Sequence, residues 1–231
     1  MKQESEVPTR LAFVVLVALL AAVGGWACGG GLKYTVDDAA LAEVPTGERQ
    51  GVLEARKEAE LAENERRTVD GQLEAHQRDT DEAKKERDQA QIEVEKAIAE
   101  QEGAKAARDE NQSNAAARNK EVADLGMKVS EAKLEWLAQK KDWFKQLRTT
   151  AEAHVEAAKA RVELEKAKVA QQKGIKPGEK FDPGDFESQW KSKQSDWQGE
   201  KKDADSEAED VKKKEAEWKD LQARHQKLKG G

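Results

Sequence analysis

Cysteine occurs once in the 231 residues, at Cys28, so no disulfide framework can hold this chain together. Aromatic residues make up only 5% of it, and outside the N-terminus the apolar residues are too sparse to fill a globular core. Proline is scarce as well, and Pro45, Pro177 and Pro183 all fall in stretches rich in other helix breakers. A basic excess is missing: 47 acidic residues outnumber 41 basic ones, and the signs alternate, as in Lys84-Lys85-Glu86-Arg87-Asp88. A nucleic-acid binder needs a net basic face, and there is none. His76, His154 and His225 lie far apart, without the close spacing that metal ligands show. No phosphate-cradling glycine loop precedes a helix. Carboxylate pairs four residues apart are common, but on an exposed helix they are solvated charge rather than an acid–base pair. These absences point away from an enzyme and away from any resident cofactor, metal or small-molecule substrate.

What is abundant is helix-forming residues. Charged side chains are 38% of the chain, mean hydropathy is -0.96, and Ala, Glu, Lys, Gln and Arg dominate. Disorder competes as an explanation for so polar a composition. It does not account for a heptad register that runs from Val52 to Gln146 without a slip. With Val52 at position a and Ala55 at d, 18 of 28 a and d sites are apolar and 9 are Ala. The seam is long but thin, and period 3.5 is what helices need to stay in contact along their length. Arg66, Arg87, Arg108 and Arg118 interrupt it, which limits the partners it fits.

One apolar run stands apart. Leu11 to Val23 is uninterrupted, and the uncharged stretch from Leu11 to Leu32 is 22 residues, enough to cross a bilayer at about 1.5 Å per residue. Cys28 sits just beyond the run, after Ala27 and before three glycines. This pattern resembles the signal of bacterial envelope coiled-coil lipoproteins. The resemblance implies a diacylglyceryl group on the Cys28 thiol, cleavage before that residue, and a body held in the periplasm. The other reading is an uncleaved single-pass anchor with Trp26 at the membrane interface. Both readings tether the body outside the cytoplasm.

The fold class expected is all-α: an N-terminal membrane segment, one very long helix, and a C-terminal antiparallel helical hairpin. Residues 1–28 form the signal or anchor, 29–47 a flexible leader, and 48–121 a long single or intermolecular coiled-coil helix. Residues 122–231 form the hairpin, with its loop at 174–184. Gly174 suits a helix C-cap, while Asp182 and Pro183 suit a helix start. Folding about the loop centre sets Trp218 beside Trp143, Val211 beside Leu147 and Leu228 beside Val129. The hairpin core, and its candidate docking residues, are Trp136, Trp143, Leu147, Trp190, Trp197, Val211, Trp218 and Leu221. The expected role is a coiled-coil spacer or scaffold of the cell envelope, binding membrane lipid through its N-terminus and a protein partner or itself through the coiled coil. The alternative is a periplasmic adaptor or holdase-type chaperone that docks partners on the Trp-rich hairpin.

Overall fold

A computed structural model describes residues 31–178 and 181–230. Among these the chain is all-helical. The helices are α1 (Gln50–Ala107), α2 (Glu110–Gln172) and α3 (Pro183–Gly230), preceded by two one-turn helices at Asp38–Leu41 and Thr46–Arg49. None is long and apolar enough to cross a membrane. The Leu11–Val23 run, Trp26 and Cys28 lie outside the described residues.

The single helix expected from residue 48 onward is two helices. Arg108 takes a left-handed conformation (φ 57°) and ends α1. The Asp109 carboxylate then accepts from the Asn111 and Gln112 amides and caps α2. The chain reverses in two residues, and α1 packs antiparallel along α2. Residues 48–121, expected to lack a partner within the chain, therefore have one.

Heptad phase misled because α2 carries two seams. Trp136, at an a site of the register, stacks on Trp218 of α3. Leu137, one residue and about 100° further round the helix, presents its carbonyl to His76 of α1. The a and d stripe that continues numerically from α1 into α2 thus faces a different neighbour. Within α1 itself the register holds: Ala55, Ala62, Val69, His76, Ala83, Ala90, Ala97 and Ala104, every seventh residue, are all buried. Small side chains at these sites let the two backbones approach closely.

α3 packs antiparallel on α2, and no backbone contact joins it to α1 among the described residues. Its register is displaced by one heptad from the expected one. Trp218 meets Trp136 rather than Trp143, and Leu228 lies beside Arg118 rather than Val129. The cause is the turn after α2. Gly174 (φ 65°) reverses the chain, the Ile175 amide bonds back to the Ala170 carbonyl, and Ile175 packs into the core. α3 consequently starts alongside the last turns of α2 rather than beyond them. Its own start signal is used, the Gly184 amide donating to the Asp182 carboxylate.

The segment expected to be a flexible leader is docked. Val36, Leu41 and Val44 are buried with Val52 and Ala55 of α1, Val162, Leu164, Ala167 and Ala170 of α2, and Phe186 of α3. All three helices contribute to this cluster. Extended backbone there is satisfied by side chains acting as a neighbouring strand would. The Tyr34 amide and carbonyl both pair with the Gln189 side-chain amide. The Val36 amide donates to Glu163 and its carbonyl accepts from Lys166.

Candidate interaction surface

The eight hairpin residues singled out in the sequence do not form one patch. Trp136 and Trp218 stack at 4.9 Å with 9° between their planes, and Lys140 lies 5.0 Å above the Trp136 ring. Both indole nitrogens are buried without a hydrogen-bond partner. Trp143 leans on Phe144, Trp190 packs against the leader cluster, and Val211 is buried. Leu147 and Leu221 are half-buried. Trp197 stacks on His154 at 4.1 Å, and His154 also bonds Glu65 of α1 at 2.8 Å. That chain of contacts, Glu65 to His154 to Trp197, joins all three helices. The Trp136–Trp218 and His154–Trp197 stacks hold α3 to α2.

The buried polar residues are more informative. His76 is 2% exposed, and one ring nitrogen lies 2.9 Å from the Leu137 carbonyl. A carbonyl can only accept, so that nitrogen (Nε2) carries the proton and donates. The other, Nδ1, is buried without a partner. Burial pushes the imidazole below its ordinary 6.5, with Lys140 and Lys141 adding to the effect, while the Leu137 hydrogen bond and Asp79 oppose it.

Lys166 is the counterpart at the leader. Its ammonium, 7% exposed, reaches the Val36 carbonyl, Asp38 at 2.7 Å and Glu163 at 2.8 Å. Burial works against its charge, but the two carboxylates outweigh burial and raise it above the ordinary lysine value. Asp38 is held below its ordinary 3.8, chiefly by the Lys166 hydrogen bond. The leader pins itself with one cation that it does not own. Sequence reading missed Glu163, Lys166 and Gln189. Spaced apolar residues at Val36, Leu41 and Val44, with Asp37 capping the turn between them, were the available signal.

Where α3 stops, an open groove of about 800 Å³ lies between the three helices, bordered by Glu93, Lys96, Glu100, Arg118, His225 and Leu228. Charged and apolar groups alternate along it. No cluster of three or more potential metal ligands occurs among the described residues. Comparison with protein-family models, curated proteins and solved structures finds no match. The functional reading therefore rests on the chain's own residues.

Proposed function

We propose that this chain is a membrane-tethered helical scaffold or spacer of the bacterial cell envelope, without catalytic activity, anchored through its N-terminus and presenting a charged helical body. The observation that carries the reading is the 13-residue apolar run Leu11–Val23 followed closely by the lone Cys28, ahead of a body in which charge dominates. Support comes from how the body is built: three long helices zipped by small residues and ion pairs, which is stiffness along a length. The 63 residues of α2 extend on the order of 95 Å at about 1.5 Å per residue. That is half the reach of an uninterrupted helix through α1 and α2, so a short, stout spacer is the form proposed.

Metabolic labelling with an alkyne fatty acid in a bacterial host tests the anchor. Wild type incorporates label and loses residues 1–27, whereas Cys28→Ala incorporates none and keeps its N-terminus. An unlabelled wild type with an intact N-terminus that sediments with membranes supports the uncleaved anchor instead. Wild type found wholly free of membrane overturns the tether.

A further inference from the structure

We propose that Gln189, Glu163 and Lys166 form a peptide-binding site, filled in this structure by the chain's own leader. Its other occupant is an extended segment of a partner protein with an aromatic residue, an aliphatic one two positions on and an acid four positions on. The proposal does not depend on the membrane tether.

Three observations lead there. First, the site recognises backbone. In an extended chain the N–H and C=O of every second residue face the same edge. The Gln189 side chain meets both groups of Tyr34, accepting from the amide and donating to the carbonyl, each at 3.0 Å. Two residues on, Glu163 accepts from the Val36 amide at 2.6 Å and Lys166 donates to the Val36 carbonyl at 3.2 Å. Three side chains from two helices thus stand in for the edge of a neighbouring strand, which is how an added strand is held. None of these bonds depends on the leader's own side chains, so another segment of the same conformation makes them equally well.

Second, alternate side chains are selected as well. Tyr34 lies against Phe186 with 5.8 Å between ring centroids, Val36 is buried, and Asp38 pairs with Lys166 at 2.7 Å. Thr35 and Asp37, between them, are exposed, as the alternation of an extended chain requires. Third, the Lys166 ammonium is buried within α2 whether or not the leader is seated, held there by Glu163 at 2.8 Å. Departure of the leader takes away its carbonyl and its Asp38 partner, and a buried donor left short of acceptors favours refilling by a segment that brings both. Aromatic, aliphatic and acid at this spacing occur together only at Tyr34, Val36 and Asp38. A second copy could supply the pattern only by emptying its own site, so exchange between copies fills none, whereas a different protein fills one.

The test uses the full-length chain in detergent micelles. The probe is an N-acetylated peptide of residues 34–44 with fluorescein at its C-terminus. In Val36→Asp the leader carries a charge where the site is apolar, and it undocks. The probe then binds this variant saturably by fluorescence anisotropy. It binds wild type about tenfold more weakly, because the tethered leader competes. Methylating the probe's Val36 amide nitrogen, which removes the donor to Glu163, weakens binding to the variant about tenfold, and so does adding Gln189→Ala. A variant that keeps the wild-type circular dichroism yet binds no probe overturns the proposal. So does binding that ignores both the methyl group and Gln189→Ala, which is adhesion to an apolar surface. Wild type that sediments as a dimer, with Val36→Asp a monomer, puts a second copy's leader in the site and overturns the partner. Should Val36→Asp lose helix, wild type decides: unlabelled peptide at millimolar concentration frees the leader, and protease cleavage between Tyr34 and Arg49 accelerates severalfold. Cleavage that the peptide leaves unchanged, or that the methylated peptide accelerates equally, overturns the site.

Discussion

Among the eight buried d sites of α1, His76 alone is polar, and its surroundings suit only the neutral ring. A second N–H would find no acceptor, since Nδ1 has no partner and Lys140 and Lys141 stand nearby. The sign of the pH effect follows. A histidine whose folded value is depressed contributes its full stability above the unfolded value near 6.5, and that contribution is lost as pH falls from there through the folded value. Each pH unit in this window is worth at most about 1.4 kcal/mol. Urea unfolding of wild type and His76→Ala at pH 7.5 and pH 5 checks this. The variant is less stable at pH 7.5 by about 1–3 kcal/mol, the cost of a removed buried ring. That difference shrinks at pH 5, because the variant no longer has a group to protonate there. A difference that stays constant or widens excludes the account.

At the scale of elements, α2 is the organiser, and its two faces explain both what could and what could not be read from sequence. Ala55 through Ala104 were legible because one partner imposes one period on α1, and every seventh residue obeys it. On α2 two partners impose two interleaved stripes, Trp136 toward α3 and Leu137 toward α1. A linear pattern does not reveal which stripe continues the preceding helix. The turn at Arg108–Asp109 was overruled by the same unbroken phase, although Asn111, Ser113, Asn114 and Asn119 mark the stretch after it as the weakest of the long helix expected there. The Asp182–Pro183 start of α3 was plain because its capping chemistry is local, whereas the heptad displacement of α3 depends on how Ile175 packs, which is not. The docking of the leader was not legible, despite the spaced Val36, Leu41 and Val44, because its partners Glu163, Lys166 and Gln189 are more than a hundred residues away. Lys166→Ala tests that contact. It leaves the Val36 carbonyl and Glu163 without their cation, and the loss is about 1–3 kcal/mol. Protease cleavage between Tyr34 and Arg49 increases in the variant while α1 and α2 stay protected; unchanged resistance of this segment contradicts the staple.

For the molecule as a whole, the described helices form one unit built on α2. Its surface is a near balance of acids and bases, many paired one turn apart as in Lys212–Glu209 and Arg224–Asp220. Such exposed pairs each add little, roughly 0–1 kcal/mol, so the fold relies on the Ala-lined seam, the indole stack and the leader cluster.

The return of α1 along α2 is the feature on which the rest depends, and a distance within one chain tests it. In a Cys28→Ala background, Gln72→Cys and Lys145→Cys place dyes on exposed sites of α1 and α2. The doubly labelled full-length chain is measured at nanomolar concentration, mixed with an excess of unlabelled chain so that transfer reports a distance within one molecule. A folded-back pair lies about 20 Å apart or less, from helix axes 8–10 Å apart plus side chains, and energy transfer is nearly complete. One unbroken helix separates the same sites by on the order of 110 Å, and absence of transfer would contradict the fold described.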